Sequence, residues 1–275
     1  LGIATAFRDA IDAGVETGAR IVVSGPPFYP ASAGIAVTTD FLWVPTNAAE
    51  ADRGLALLAG FGAGHAKMRY VQSWHGGAEF VRVANQHGLR VSSHCAHGLS
   101  VVLAGITGHE HTDGQCGEWE FGIRDDITQL YARAGVTVAP VIDLHADYAR
   151  RNDQIPAAAR ARLQRRTDRA RVHAQRLSAA GVRIVTGSDA QDSPGGIHRE
   201  LQQLVAAGLS TRAALAAATR NAADAIGLGE TIGQVKTGYL ADLVILDADP
   251  LADISNTRLV WMVIQAGRIV KTPSR

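Results

Sequence analysis

The stretch VSSHCAHGLSVVLAGITGHEHTDG (residues 91–114) reads as a strand–helix–strand unit and carries four of the chain's 10 histidines. Two short runs with strand character, 89–95 and 106–111, flank an apolar helical segment at 98–104. A glycine lies close before each run, as is typical where a helix ends in a left-handed residue and a buried strand begins. Repetition of this unit predicts a parallel sheet covered by helices.

The same alternation continues on both sides of this stretch. Further strands are predicted at 20–25, 66–71, 136–142 and 182–189, and further helices at 47–60, 76–87, 124–134 and 156–179. After residue 190 the pattern changes to two amphipathic helices and then to the strands of a small β-module at 240–247, 260–267 and 268–271. A chain of 275 residues suits an α/β fold of the TIM-like (β/α) barrel type, which needs about 250 residues.

Composition and charge exclude several classes of protein. Hydrophobic residues make up 47% and charged residues 19% of the chain, which predicts a large core. A net charge of +1 argues against nucleic acid or a membrane surface as partner. The arginines of the 156–179 helix are interpreted as a solvated face, and no apolar run approaches the roughly 18 residues of a membrane span. A cytoplasmic location is expected.

Four polar residues stand at the carboxyl ends of predicted strands, namely Lys67, His94, His111 and Asp189. Each has a simple structural explanation, because a lysine can pair with an acid, an aspartate can cap a helix and a histidine can belong to a core. Their common position nevertheless favours function, since barrel enzymes carry their active sites at that rim. The strand register leaves open whether His94 or His97, and whether His109 or His111, points toward the site.

These residues lie in motifs that resemble those of the amidohydrolase superfamily, in particular its imidazolonepropionase-like and metal-dependent dipeptidase-like branch. The motifs are AKMR, HCAHG, HEHTDG and GSDA, followed by the tail STRAALAAATRNAADAIGL and IGQVKTGYLADLVILDADPL. The resemblance covers nearly the whole chain. It implies a metal-hydrolase barrel domain at 1–235 and the C-terminal portion of a β-sandwich-like composite module at 236–275.

The resemblance also implies a metal centre. Lys67 would be carbamylated and bridge two divalent ions, His94 and His111 would bind one ion, and Asp189 would bind the other and act as the catalytic base. Neutral imidazole nitrogens suit Zn²⁺, which makes zinc the expected metal. A metal-bound hydroxide would then attack the C–N bond of a small-molecule amide, peptide or cyclic amide.

Two further histidines are candidates for contact with the substrate. His145 follows the predicted strand at 136–142, and His198 follows the loop after Asp189. A surface-loop role is an equally good interpretation of His145, and His198 could instead cap its helix. The motifs name the reaction type and not the substrate.

One family motif is absent from this chain. The superfamily carries H-x-H on its first strand, whereas the HEH at 109–111 stands in the sixth-strand position and the first histidine is His65. The sequence therefore predicts a barrel that is incomplete at its N-terminal end. Open strand edges favour association, for example into a homo-oligomer. The alternative hypothesis is a non-catalytic, degenerate barrel that serves as a binding or interaction protein.

Overall fold

A computed structural model describes residues 2–29, 45, 47–69, 74–94, 97–112, 122–189 and 195–272. At positions 74 and 75 it describes the backbone only. The chain forms two compact units, Leu1–His109 and Glu110–Arg275. Both contain helices and parallel strands, so the predicted α/β class is confirmed. In these described segments no helix is both long and apolar enough to cross a membrane.

The first unit alternates helices with short parallel strands. Its elements are α1 (Gly2–Asp12), α2 (Ala48–Gly60), β1 (His65–Arg69), α3 (Trp74–Gln86), β2 (Arg90–His94), α4 (Gly98–Ala104) and β3 (Gly108–Glu110). Strand β2 lies between β1 and β3, and its pairing with β1 is parallel. Apart from the strand predicted at 20–25, the predicted strands and helices of this region agree with these bounds to within a few residues.

Local sequence explains where these helices begin and end. The side chain of Asn47 accepts a hydrogen bond from the N–H of Glu50 at 3.0 Å and so caps the start of α2. Gly105 ends α4 with φ 75°, a left-handed conformation that glycine adopts without a steric penalty. The chain can therefore reverse direction at once and enter β3.

The prediction of a strand at 20–25 is wrong. Residues 20–25 belong to no strand, and the pairing beside β1 is a single parallel bridge between Phe28 and Met68. The nearest hydrogen bond of the predicted run joins the N–H of Gly64 to the carbonyl of Val23 at 3.2 Å. Pro26 and Pro27 end the predicted run, because proline has no N–H to donate to a neighbouring strand.

The second unit continues the α/β alternation and ends in an antiparallel sheet. Its elements are α5 (Asp125–Ala134), β4 (Thr137–Ala139), α6 (Asp143–Arg151), α7 (Ala157–Ala179), β5 (Arg183–Ile184), α8 (Gly196–Ala206), α9 (Thr211–Ala218), α10 (Arg220–Ala225), β6 (Leu243–Leu246), a 3-10 helix (Ile254–Arg258), β7 (Val260–Gln265) and β8 (Arg268–Lys271). Strands β4 and β5 pair in parallel, and β6, β7 and β8 pair antiparallel in that order.

Two features of this unit differ from the sequence prediction. Helix α6 was not predicted as a helix, because its polar segment DLHADYARR lacks a clear apolar face. The single helix expected after Ser210 is divided at Thr219, whose φ of −125° and ψ of −98° interrupt the helical path between α9 and α10. The antiparallel sheet lies within the segment assigned to the C-terminal module, and the boundary between 1–235 and 236–275 stays a prediction.

Helix α7 offers a test of the core of the second unit. Leu177 is completely buried, whereas Val172 on the same helix is 51% exposed. We expect Leu177→Ala to lower the free energy of unfolding by about 2–5 kcal/mol, because it removes apolar contacts and leaves a cavity. Val172→Ala should change it by less than about 0.5 kcal/mol. Urea denaturation followed by circular dichroism compares the two, and equal losses would contradict this packing.

Candidate functional site

Lys67 and His94 lie on neighbouring parallel strands of the first unit. The register pairs Lys67 with Ser92 and Arg69 with His94. Side chains alternate along a strand, and paired residues point to the same side, so these four side chains share one face. The structure thus brings Lys67, in the middle of β1, and His94, at the carboxyl end of β2, to the same face.

His94 is a nearly buried residue with a charged neighbour. Its side chain ends β2, the residue is 8% exposed, and its Nε2 lies 3.1 Å from Nη2 of Arg69. An arginine beside this histidine was not anticipated from the sequence. The signal was present in AKMR, where Arg69 stands two residues after Lys67 and therefore on the same side of the strand.

His111 and Asp189 come together in the second unit. His111 follows β3 directly, Asp189 follows the extended run after β5, and 3.6 Å separates Nε2 of the imidazole from Oδ2 of the carboxylate. His111 is 5% exposed, and its backbone N–H donates to the carbonyl of Ala139 at 3.0 Å. The two side chains offer an imidazole nitrogen and a carboxylate oxygen, which are donor types that divalent metals such as Zn²⁺ accept.

Unusual backbone conformations occur at three residues that follow β3, β4 and β5. His111, Val141 and Asp189 have φ values of 67°, 56° and 44°, in the left-handed region that side chains other than glycine seldom occupy. For the β-branched Val141 this conformation is a genuine outlier. Such strain persists only where surrounding contacts fix the chain, and it tends to cluster at active sites. The C-terminal ends of β3, β4 and β5 are therefore the best candidates for a functional rim.

The two alternative histidines occupy different environments. His97 is exposed and precedes α4 without making a side-chain capping bond. His109 is 1% exposed and lies inside β3, two residues before His111. The described contact with Asp189 is made by His111, which favours His111 over His109 as the partner of that carboxylate.

The described residues do not assemble a complete metal site. Among them, no group of three or more His, Cys, Asp and Glu side chains is arranged to hold a metal ion. What the structure provides is one pair of suitable donors, His111 and Asp189, and a separate neighbour pair, Lys67 and His94. The imidazoles of His94 and His111 and the carboxylate of Asp189 offer donors that fit a divalent cation, whereas the ammonium of Lys67 would fit one only as a carbamate.

The residues after β4 are arranged around an ion-pair network. Asp143 is buried, and its carboxylate accepts from Arg150 at 2.9 Å and from Nε of Arg199 at 2.7 Å. His145 lies one turn into α6 and is 7% exposed. Asp143 therefore has a structural role that ties α6 to α8, and substrate contact by His145 stays a prediction.

His198 lies on α8 beside the 3-10 helix. Its Nδ1 is 3.1 Å from the hydroxyl of Thr257, and the cap residue of α8 is Gly195, which makes no side-chain capping bond. Burial and the positive charge of Arg258 lower the pKa of His198 below its usual 6.5. The capping alternative is therefore not supported, and the contact with substrate stays a prediction.

Glu200 is a functional candidate that the sequence analysis missed. It is completely buried on α8, and its two carboxylate oxygens accept the backbone N–H groups of Ile142 at 3.1 Å and Asp143 at 2.9 Å. Burial raises the pKa of Glu200 to about 7, and the charge of Asp143 adds to this effect, whereas the backbone hydrogen bonds oppose it. The sequence did contain a signal for this burial. Glu200 is four residues from Gly196 and four from Leu204, and this spacing puts all three on one face of α8, which is buried.

His173, on α7, contacts the backbone next to His111. It is 1% exposed, and its Nδ1 lies 2.5 Å from the carbonyl oxygen of Thr112, the residue after His111. The N–H of Thr112 also donates a hydrogen bond to the carbonyl of Pro140 at 3.4 Å. The left-handed turn at His111 is thus held by backbone contacts on one side and by a buried imidazole on the other.

Comparison with known proteins agrees with these motifs and this fold. The profile of the amidohydrolase family matches residues 5–270. The chain belongs to the amidohydrolase family. A segment of 55 residues, 20% of this chain, is 42% identical to amidohydrolase tasK of Hapsidospora irregularis, and the matched segment spans only 6% of that relative.

Solved amidohydrolase structures share the fold over almost the full chain. A Xaa-Pro dipeptidase with methionine bound in its active site has a TM-score of 0.82 and 21% identity, covering 98% of this chain and 72% of its own. The ochratoxinase of A. niger has a TM-score of 0.81 and 22% identity, with coverage of 98% and 70%. A putative prolidase from Bifidobacterium longum has a TM-score of 0.77 and 25% identity, with coverage of 98% and 71%.

The buried carboxylate of Glu200 predicts a specific pH dependence of stability. Its folded pKa of about 7 lies above the usual glutamate value of 4.5. The unfolded chain therefore loses this proton first as the pH rises, and the contribution of Glu200 to stability falls between about pH 4.5 and pH 7. Relative to Glu200→Gln, the free energy of unfolding of the wild type should fall by about 3 kcal/mol across this window.

Urea unfolding at several pH values between 5 and 8 measures this difference. Glu79→Gln is a matched control, because Glu79 lies on the surface, where its ion pair with Arg82 lowers its pKa below 4.5. The difference between wild type and Glu79→Gln should stay constant over the same range. A constant difference for Glu200→Gln as well would show that Glu200 ionises normally in the fold.

Proposed function

We propose that this amidohydrolase-family protein is a metal-dependent hydrolase that cleaves an amide-type C–N bond of a small molecule. The observation that carries the proposal is the contact between His111 and Asp189 on two left-handed residues at strand ends. Family membership over residues 5–270 supports the same conclusion. The parallel strands are inferred to belong to a TIM-like barrel, and the β6–β8 sheet to a β-sandwich-like module.

The proposed metal ligands are the four strand-end residues, Lys67, His94, His111 and Asp189. Zinc is the proposed ion, because imidazole and carboxylate donors suit it. Lys67 is proposed to carry a carbamate, formed when the ammonium loses two protons and Nζ adds to carbon dioxide. This modification would turn a cation in a half-buried strand into an anionic oxygen ligand. Support for it comes from the position of Lys67 on the same face as His94.

Asp189 is proposed to act as the general base. A bound divalent metal supplies Lewis acidity, which activates water and polarises a carbonyl oxygen. The Asp189 carboxylate would take the proton from the attacking water and deliver it to the leaving nitrogen. His111, 3.6 Å away, would hold this carboxylate in position.

The substrate is proposed to be a small amide, peptide or cyclic amide. Proteins of similar fold are described as a Xaa-Pro dipeptidase, an ochratoxinase and a phenylurea hydrolase, so the fold accommodates several kinds of C–N bond. His145 and His198 remain the proposed substrate contacts. Dipeptides ending in proline and N-acylated amino acids are therefore the first compounds to assay.

The role of Asp189 is tested by a near-isosteric change. Asp189→Asn should keep the fold and part of the metal, since the amide oxygen can still coordinate weakly. It should lower kcat on dipeptide or N-acyl amino acid substrates by a factor of about 10² to 10⁴, because an amide cannot accept the proton from water. Steady-state hydrolysis assays at saturating Zn²⁺ make the measurement.

Asp153→Asn provides the matched control, because Asp153 lies exposed in the loop after α6. It should hydrolyse the same substrates at the wild-type rate. Unchanged hydrolysis by Asp189→Asn would eliminate Asp189 as the base. Failure of the wild type to bind Zn²⁺ or to hydrolyse any of the compounds would support a non-catalytic barrel instead.

The proposed carbamate on Lys67 has a separate test. Lys67→Ala should lose metal first, and activity as a consequence, because a bridging anionic ligand is removed. Addition of a short carboxylic acid should restore part of both by supplying the missing oxygens. Metal content after gel filtration, measured by elemental analysis with and without the acid, reports the effect. Full metal content in Lys67→Ala would argue that the lysine is not a ligand.

A further inference from the structure

The chain that begins as β5 and leads to the proposed base (the β5 run, residues 183–189) is bound on two sides. On one side it pairs with β4, where the N–H of Val185 donates to the carbonyl of Val138 at 2.9 Å. Successive residues of an extended chain direct their backbone groups to opposite sides. The groups of Ile184 and Thr186 therefore face away from β4.

On this second side, helices α9 and α10 take the place of a neighbouring strand. The carbonyl of Ile184 accepts a hydrogen bond from the side-chain amide of Asn221 at 3.0 Å. The N–H of Thr186 donates to the carbonyl of Ala217, at the end of α9, at 3.1 Å. Backbone groups in a strand need such partners. One asparagine amide and one helix carbonyl thus supply the donor and the acceptor that a strand would supply.

A break between the two helices makes this arrangement possible. In a continuous helix the carbonyl of Ala217 would accept from the N–H of Asn221, four positions later. Thr219 interrupts the helix with φ −125° and ψ −98°, and its hydroxyl donates to the carbonyl of Leu215 at 2.7 Å. The carbonyl of Ala217 is thereby left to bind the β5 run, and Asn221 lies in the first turn of the new helix.

The segment IGQVKTGYL (residues 232–240) packs against this break. At Gly233, whose φ is 89°, a Cβ atom would lie 3.0 Å from the carbonyl oxygen of Thr219 and 2.7 Å from Cβ of Ala223. Glycine permits both the positive φ and the close approach. The two halves of the C-terminal tail motif therefore meet at the break, and they fix the direction in which α10 leaves it.

The end of the β5 run has little free space around it. A Cβ atom at Gly187 would lie 3.2 Å from Cγ2 of Val141, and one at Gly196 would lie 3.0 Å from Cβ of Ser188. Asp189 itself has a φ of 44°. A closely packed backbone transmits a displacement instead of absorbing it. A shift at the start of the run therefore moves the carboxylate of Asp189.

We propose that Asn221 is a positioning residue for Asp189. The bond at Ile184 is made by a side chain, whereas the bonds at Val185 and Thr186 are made by backbone groups, so a substitution removes it selectively. Asn221 acts through the backbone of the β5 run and takes no part in the chemistry itself. The inference rests on the proposed function in that it takes Asp189 as the base.

Steady-state hydrolysis of dipeptides and N-acyl amino acids at saturating Zn²⁺ tests this role. Asn221→Ala should lower kcat by about tenfold to a hundredfold, because a small displacement of a reacting group is costly. It should leave KM within about twofold. Asn256→Ala is the matched control, since the amide of Asn256 also donates to a backbone carbonyl, that of Asp249 at 2.9 Å. Equal losses of kcat in the two variants would contradict the inference.

A double-mutant cycle separates positioning from a general loss of structure. If Asn221 acts through the carboxylate of Asp189, Asn221→Ala should change the residual kcat of Asp189→Asn by less than about twofold. Full multiplication of the two losses would overturn the inference. Asn221→Asp keeps the shape of the side chain and removes the N–H donor. It should behave like Asn221→Ala, and it replaces that variant in every measurement if the alanine variant does not fold.

Amide hydrogen exchange of the full chain, followed by mass spectrometry, is a readout that needs no activity. Peptides from residues 183–189 should exchange at least about tenfold faster in Asn221→Ala than in the wild type, because local opening of the run becomes easier. Peptides from α5 should exchange as in the wild type, and Asn256→Ala should leave both regions unchanged. Unchanged exchange at 183–189 in Asn221→Ala would overturn the inference even if kcat fell.

The outcomes distinguish this inference from the proposed function. If Asp189→Asn hydrolyses at the wild-type rate, the proposed function loses its base. Faster exchange at 183–189 in Asn221→Ala would still support the placement of this run by Asn221. If Asp189→Asn loses activity while Asn221→Ala equals the wild type in rate and exchange, the proposed function stands and the inference falls.

Discussion

The buried carboxylate of Glu200 is the interaction on which the strand ends of the second unit depend. Its two oxygens accept the N–H groups of Ile142 and Asp143, which follow directly after Val141 in its left-handed conformation. A β-branched residue with positive φ is unfavourable, and only strong contacts on the adjacent residues can hold it there. The two carboxyl oxygens of Glu200 satisfy both N–H groups at the start of α6, and these hydrogen bonds oppose the rise of its pKa.

The same carboxylate explains why Asp143 and Arg199 lie where they do. Two acids side by side, Glu200 and Asp143, repel each other in a buried setting, and this repulsion contributes to the raised pKa of Glu200. Asp143 is in turn neutralised by Arg199 at 2.7 Å and Arg150 at 2.9 Å. Removing one partner of such a network leaves a buried charge without compensation, which is strongly unfavourable. The loop after β4 is therefore a rigid support for the neighbouring strand ends.

Local signals in the sequence predicted most of the elements, and long-range contacts explain what it did not predict. The strands around Lys67 and His94 and the helix that ends at Gly105 follow from β-branched runs and a glycine cap, which act within a few residues. Arg69 beside His94 and Glu200 beside Ile142 depend on residues 25 and 58 positions apart. No local pattern specifies such pairs.

The proposed carbamate on Lys67 would change the balance of charge along β1. Lys67 and Arg69 stand on the same face of this strand, about 7 Å apart, so two cations face the same space. Carbon dioxide added to Nζ of Lys67, with loss of two protons from the ammonium, would replace one of these cations by an anion. The guanidinium of Arg69 would then share its face with a group of opposite charge, and hydrogen bonds between ionised groups are stronger than those to neutral ones. Modification of the lysine would therefore replace a repulsion between the two side chains by an attraction.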